Sequence, residues 1–246
     1  MKKFKASFLV LILALTPLML LQSCLNDNDN YYLAIATFRA AENHGGYYFT
    51  LDDGQKMYPQ QPSSGGMEDG QRVYVYFDIL DEKTDGYKYT IEVKGIEKIL
   101  TKELFVMDEQ TADSIGDDKI DITGIWLGDG YLNIRFQFSG AHYPAKPHMV
   151  NLVRNDIEGA NEEADEEGYL SLEFRHNAFD DSQTALLNGI ASFKGPFIEK
   201  DLKGLKVRYN SINNGIKHVK VDFVLPPAEL IFLESPSVVS ETLIAY

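Results

Sequence analysis

Residues Lys119–Phe138 read KIDITGIWLGDGYLNIRFQF. Apolar and polar residues alternate through both halves, the period of a strand with one buried face. Gly128-Asp129-Gly130 divides the halves. The inward candidates are Ile120, Ile122, Gly124 and Trp126 before the turn, and Leu132, Ile134, Phe136 and Phe138 after it. A two-residue turn would set apolar against polar positions, because a one-residue slip inverts the face of a strand. A three-residue turn with a left-handed glycine predicts the pairs Trp126–Leu132, Ile122–Phe136 and Ile120–Phe138 instead. The stretch is read as an antiparallel hairpin lining a core.

The pattern returns downstream. Asn213-Asn214-Gly215 predicts a second three-residue turn, which pairs Tyr209 with Val219, Val207 with Val221 and Leu205 with Phe223. The opposite face then sets Lys206 against Asp222 and Arg208 against Lys220. Between the two hairpins lie strand-like runs at His148–Val153, Tyr169–His176 and Ala185–Lys194. Short strands with frequent turns and no amphipathic helix predict a β-sandwich of about seven strands over residues 111–246. The tail after Pro226-Pro227 either adds an edge strand or runs free, and Asp113–Asp118 reads as a polar link before the sandwich.

Upstream, residues 31–110 carry a different spacing. Tyr47–Leu51 is a strand, Asp52-Asp53-Gly54 a turn, and Lys56–Tyr58 a short return that stops at Pro59. Gln60–Gly70 is a loop rich in Gly, Pro and Ser. Arg72–Leu80 alternates cleanly, with Val73, Val75, Phe77 and Ile79 on one face and Tyr74, Tyr76 and Asp78 on the other. After a turn at Asp81–Gly86, Tyr87–Val93 alternates again, Gly95 marks a bulge or bend, and Ile96–Val106 is a strand or a short helix. Four or five coiled strands in this length predict a small barrel of the oligonucleotide/oligosaccharide-binding (OB) kind. Tyr74, Tyr76, Tyr87 and Tyr89 are candidates for an aromatic ligand surface; the competing reading is a second packed face against the neighbouring domain.

The N-terminus reads as an address. Lys2, Lys3 and Lys5 precede Phe8–Leu21, an uncharged apolar run of 14 residues. That is short of the roughly 20 residues a spanning helix needs and fits an export signal over residues 1–23. Leu21-Gln22-Ser23-Cys24 then reads as a lipobox, although Gln22 stands where a small or branched residue is usual. Cleavage before Cys24 leaves a thiol for diacylglycerol and an amine for a further chain such as palmitate; two or more chains anchor stably where one does not. Residues 24–30 form a lipidated tether, with the acidic spacer Asn26–Asn30 suited to an outer-membrane lipoprotein, surface-exposed if the spacer acts as a sorting tag. Cys24 is the one cysteine, so neither a disulfide nor a multi-cysteine metal site is expected.

Charge excludes some partners. Removing the three lysines of residues 1–23, which hold no acid, takes the formal net charge from −14 to −17. Both following regions are acidic, with 8 basic against 13 acidic residues in 31–108 and 12 against 22 in 109–246. No nucleic-acid partner is expected, since phosphate binding needs a positive footprint. No Gly-x-Ser-x-Gly, His-Glu-x-x-His or phosphate loop occurs. His142 and His148 flank a proline loop without an acid or cysteine at ligand spacing, so no metal and no cofactor are expected. Arg175-His176-Asn177 with Asp180 and Asp181 is the best polar constellation; parity places His176 with Leu172 and Phe174, which favours a structural histidine over a hydrolase centre. Asp156–Glu167 is an acidic loop without the regular ligand order of a calcium loop, and residues 194–220 hold seven basic and two acidic residues that face either this loop or an acidic partner.

Several runs together resemble one family. Tyr48–Pro59 (YFTLDDGQKMYP), Asp69–Leu80 (DGQRVYVYFDIL), Gly95–Lys102 (GIEKILTK), Ile115–Phe138, His148–Val153 (HMVNLV) and Leu172–Ala178 (LEFRHNA) are similar to the NigD-like lipoproteins of anaerobic diderm bacteria. The resemblance implies an N-terminal OB domain and a C-terminal β-sandwich, and a bacteriocin-associated role in immunity or as an accessory. It carries no catalytic or ligand-binding residue across. The expectation is a non-enzymatic, membrane-anchored envelope protein that binds a bacteriocin, another envelope protein or a glycan. The alternatives are a glycan-binding module using the four tyrosines and a hydrolase centred on His176. Replacing Cys24 by Ala is expected to move the protein from the detergent to the aqueous phase on cloud-point partitioning, and to abolish incorporation of labelled palmitate. Retention of label would place the modification elsewhere.

Overall fold

The structure, a computed structural model, describes residues 31–41, 46–60, 66–159, 166–182, 184–197, 202–223 and 230–233. The export signal, Cys24 and its tether lie outside the described residues. The first domain is built from β1 (Tyr31–Ala40), β2 (Tyr47–Leu51), β3 (Lys56–Pro59), β4 (Arg72–Leu80) and β5 (Tyr89–Lys98). They run in the order β1-β2-β3-β5-β4, and β4 returns to pair with β1, which closes the barrel. β3 and β5 are parallel and the other pairs antiparallel. This is the strand order of an OB barrel. Its interior takes the alternate residues Val73, Val75 and Phe77 of β4, with Ala36, Phe38, Phe49, Leu51, Met57 and Ile91. Gly95 marks a bulge as expected. Tyr76 pairs with Gly95 and Phe77 with Val93, so Lys94 is the extra residue, and its ammonium reaches Asp78 and Glu92 at 3.1 and 3.2 Å.

The sandwich holds more strands than the seven expected. β6 (Leu100–Glu103), β7 (Phe105–Met107), β8 (Ile120–Gly128), β9 (Tyr131–Gly140), β10 (Met149–Asn155), β11 (Tyr169–Asn177), β12 (Ala185–Lys194), β13 (Gly204–Ser211) and β14 (Gly215–Asp222) form two sheets. One has the order β14-β13-β11-β10-β7 and the other β6-β12-β9-β8. β6 and β7, joined through Leu104, lie in opposite sheets, parallel to β12 and β10 respectively. The expected boundary after residue 110 therefore falls inside the sandwich, which begins at Leu100. Parallel edge strands make no hairpin, so no local signal announces them. The expected link Asp113–Asp118 is also part of this domain. A single helical turn, α1 (Ala112–Ile115), buries Ile115, and Asp117 takes both guanidinium nitrogens of Arg208 at 2.9 and 2.7 Å. The tail returns as β15 (Ile231–Leu233), which pairs with Tyr31–Leu33 of the barrel and not with the sandwich.

Both hairpin registers differ from expectation. Asp129 and Gly130 alone turn the β8–β9 hairpin, with φ of 47° and 84°, as a two-residue turn of the primed type requires. Gly128 pairs with Tyr131, Leu127 with Leu132 and Ile125 with Ile134. A bulge then inserts Thr123, and beyond it Ile122 meets Phe136 and Ile120 meets Phe138. The outer two pairs are those expected; Trp126 pairs with Asn133, not Leu132. A bulge adds one residue to one strand and re-aims the side chains beyond it. It keeps apolar residues inward on both sides of the break and turns Trp126 out of the sandwich. In the β13–β14 hairpin the three-residue loop is Ile212-Asn213-Asn214, one position earlier than expected. Gly215 comes next, in the left-handed region at φ 66°. Val207 pairs with Val219, Leu205 with Val221, Tyr209 with Lys217, Arg208 with His218 and Lys206 with Lys220.

The residues turned outward from β8, β9 and β12 face the outer surface of the barrel. Leu33, Tyr74 and Ile99 of the barrel pack with Ile190 of β12, with Ile35, Tyr76 and Trp126 at the margin. Beside this apolar contact lies a buried polar one. Arg72 is 0% exposed and donates to Asp52 Oδ1 at 2.6 Å, Thr37 Oγ1 at 3.0 Å and Asn133 Oδ1 at 3.2 Å. Trp126 Nε1 donates to the other Asp52 oxygen at 2.6 Å, and Ser192 Oγ donates to Asn133 Oδ1 at 2.7 Å. Thr37, Asp52 and Arg72 belong to the barrel; Trp126, Asn133 and Ser192 belong to the sandwich. Removing one member of a buried ion pair leaves the other charge uncompensated, at about 3–5 kcal/mol. Asp52→Ala is expected to lower unfolding free energy in urea by about that amount, whereas the Asp52→Leu, Arg72→Met pair should lose less than the single change. A double variant less stable than Asp52→Ala would contradict the assignment of the pair.

Candidate functional site

The four tyrosines proposed from the sequence do not form one surface. Tyr74 is buried at the domain junction, and Tyr76 is half-buried there, edge-on to Tyr31 with 5.8 Å between ring centroids. These two make the second packed face. Tyr89 is half-buried against the barrel core, with Lys88 Nζ 5.9 Å from its ring. Tyr87, also half-buried, joins an aromatic group on the outer side of the barrel, whose other members, Tyr48 and Tyr58, are half-buried too. Its centroid lies 5.9 Å from that of Tyr48 and 5.2 Å from that of Tyr58.

Strand parity places this group. On β2, Phe49 and Leu51 point inward, so Tyr48 points out; on β3, Met57 points inward, so Lys56 and Tyr58 point out. Lys56 Nζ stands 5.1 Å from the Tyr48 centroid. Tyr87 comes from the β4–β5 connection, placed by its N–H bond to Thr84 O and by Lys88 N–H to Lys56 O at 2.8 Å. Gln60 Nε2 donates to Glu82 Oε2 at 3.1 Å at the rim. Tyr48 lies across from Arg39, whose guanidinium bonds Asp129 of the sandwich turn at 2.7 Å. The surface therefore adjoins the domain junction. Sequence reasoning overlooked Tyr48 and Tyr58, although the alternation Tyr47–Leu51 already sets Tyr48 opposite Phe49.

His176 has a partner that the sequence did not assign to it. His148 Nδ1 and His176 Nε2 are 2.9 Å apart, His148 Nε2 lies 3.1 Å from Asp181 Oδ2, and His176 Nδ1 lies 3.1 Å from Lys119 O. Both rings are buried, at 4% and 1% exposure, and both pack on Phe138. The carbonyl and the carboxylate at the two ends only accept, so the ring nitrogens that face them donate. Burial, and then the charge of His148, lower the His176 pKa from 6.5 to about 4. His176 is therefore neutral near pH 7, with the proton on Nδ1 facing Lys119 O. The N–H of Ala141, donating at 2.6 Å, is the main cause that holds Asp181 below its usual range and so ionised. Phe179 and Asp180, at φ 51° and 59°, form the left-handed turn that aims Asp181 inward. With both nitrogens of His176 committed, this is a latch between β8, β10, β11 and the turn after β11. His142 is exposed and His148 buried, so the two do not converge on a metal.

The remaining candidates resolve in part. Among the described residues no three His, Cys, Asp or Glu side chains are arranged to hold a metal ion. Residues 160–165 of the acidic loop lie outside the described residues, so the calcium question falls there. The basic stretch does meet the described end of that loop: Lys220 and Lys206 approach Glu166 at 2.5 and 3.6 Å. These pairs lie at the surface, with Lys206 and Glu166 partly buried and Lys220 exposed, and pairs of this kind contribute little to stability.

A family model described as the NigD-like N-terminal OB domain matches residues 35–99, and one described as the NigD-like C-terminal β-sandwich domain matches residues 103–223. Among solved structures, a protein of unknown function from Bacteroides vulgatus is 26% identical, with 80% of this chain and 94% of that chain covered and a TM-score of 0.68. A protein of Parabacteroides distasonis described as toxin-related is 30% identical, covers 78% and 93%, and has a TM-score of 0.62. A NigD-like immunity protein from Bacteroides caccae shares the fold at 18% identity, with coverage of 76% and 90% and a TM-score of 0.54. Among curated proteins none matches.

The latch carries a prediction for acid stability. A histidine whose pKa falls on folding stabilises the fold fully above its unfolded value, and this contribution is lost as pH falls through the window down to the folded value. For His176 the window runs from pH 6.5 to about 4, with a contribution on the order of 3 kcal/mol. Urea midpoints measured from pH 7.5 to 4 should fall less steeply below pH 6.5 for His176→Gln than for the natural chain. Parallel slopes would refute the role given to His176.

Proposed function

The chain belongs to the NigD-like family, and on that footing we propose that it is a lipid-anchored, non-enzymatic binding protein of the cell envelope. The observation that carries this reading is the commitment of His176. Its two ring nitrogens are held by Lys119 O and His148, and the ring is 1% exposed. It stands ready neither to accept a substrate proton nor to activate a nucleophile, since a general base must reach the proton it abstracts. What remains is a two-domain β-body with an aromatic group on the outer barrel surface.

The export signal, the lipobox at Cys24 and the acidic spacer Asn26–Asn30 support an outer-membrane lipoprotein held by its acyl chains, with the two domains facing the aqueous side. The names given to two similar proteins, one an immunity protein and one toxin-related, support an accessory role in protection against a bacteriocin. Recognition rather than chemistry would then be its task, with a toxin or another envelope protein as partner. A strain lacking the gene, exposed to culture supernatants of neighbouring strains, is expected to be killed at lower supernatant doses than its parent. Complementation by the natural chain but not by Cys24→Ala should restore protection. Unchanged killing would sink the immunity role.

A further inference from the structure

We propose that the outer surface of β2, β3 and the β4–β5 connection binds a neutral oligosaccharide, with sugar rings stacked on Tyr58 and Tyr87. The proposal rests on the reading of the chain as a binding protein and names the ligand class for one surface of it. In OB barrels the face of strands 2 and 3, together with the loops around it, is where oligonucleotides and oligosaccharides bind. Here the part of the outer surface near β1 and β4 is taken by the sandwich: Thr37, Arg72 and Tyr74 are buried against it. The part on β2 and β3 carries Tyr48, Lys56 and Tyr58, and the β4–β5 connection adds Tyr87.

The residue types separate the two ligand classes that such a face serves. An oligonucleotide needs cations along its phosphates. The β4–β5 connection holds Asp81, Glu82 and Asp85 against Lys83 and Lys88, and Lys56 brings the set to balance. A locally neutral surface on an acidic protein repels polyphosphate and leaves an uncharged sugar unaffected. The chemistry of a sugar, an apolar ring face edged by hydroxyls, calls for aromatic rings beside planar polar groups. Tyr58 and Tyr87, tilted at 53° to one another with centroids 5.2 Å apart, supply the first. Gln60 and Glu82, joined at 3.1 Å and exposed, supply the second, with Lys56 as a further donor above Tyr48.

The test uses the full chain, solubilised in a detergent without a sugar headgroup. It is titrated with neutral glucan, mannan, xylan and galactan fragments, with sialylated fragments and single-stranded DNA as charged probes. At least one neutral fragment should bind, and Tyr58→Ala and Tyr87→Ala should each weaken it about tenfold. Tyr143→Ala, at a residue 96% exposed on the sandwich, should leave binding unchanged. Nitration of Tyr58 and Tyr87 by tetranitromethane in the natural chain should be suppressed by the bound fragment, a readout that needs no variant to fold. The proposal is overturned if no neutral fragment binds, if binding survives the Tyr58→Ala, Tyr87→Ala double change, or if only the charged probes bind. None of these outcomes bears on membrane anchoring or on killing by supernatants, so the binding-protein reading stands or falls separately.

Discussion

Arg72 has no exposed surface, and the two domains meet around it. A guanidinium removed from water must have its charge matched and its donors met, or it costs several kcal/mol. Asp52 supplies the charge from the same barrel at 2.6 Å, Thr37 and Asn133 take two further donors, and Nε is left without a partner among the described residues. The second Asp52 oxygen is taken by the sandwich, through Trp126 Nε1 at 2.6 Å. The junction is thus specified by hydrogen-bond satisfaction as well as by the apolar contact of Leu33, Tyr74, Ile99 and Ile190. Packing tolerates sliding, whereas directed donors at 2.6–3.2 Å do not.

The bulge at Thr123 makes this junction reachable. Without it, a two-residue turn at Asp129-Gly130 would place the start of β8 in the wrong parity and expose Ile120 and Ile122. With it, both ends of the strand bury their apolar residues, and Gly124 and Trp126 between them turn toward the barrel. Arg135 of β9 then stacks on the Trp126 ring at 5.1 Å. A local irregularity in one hairpin therefore sets the relation of two domains.

Much of the architecture was legible in the residues. Alternation in Arg72–Leu80 identified the core face of β4, with Val73, Val75 and Phe77 fully buried, and Gly95 marked the bulge in β5. Parity also placed His176 inward beside Phe174. The partner of His176 was not legible, because His148 is 28 residues away and nothing local says which turn closes over it. The same holds for β6 and β7, which pair in parallel with strands far along the chain. Both hairpins were misregistered for a related reason. The turn dipeptide fixes where a chain reverses, but a bulge or a one-residue shift of the loop is chosen by what the strands must pack against.

The sequence by itself determined most of the strands and their faces, the two β-domains and the family, and it raised the expectation of a lipid anchor. These depend on near-neighbour patterns: period-two alternation, turn residues, an apolar leader before a lone cysteine. Only the tertiary structure decided which tyrosines stay on the surface. Tyr74 and Tyr87 sit in equally aromatic strand-like runs; one is sealed at the domain junction and the other is grouped with Tyr48 and Tyr58. The difference is made by the surface of a second domain folding against the first. That contact is built from residues far apart in the chain, 61 positions for Arg72 and Asn133 and 74 for Asp52 and Trp126, whose meeting no periodicity records.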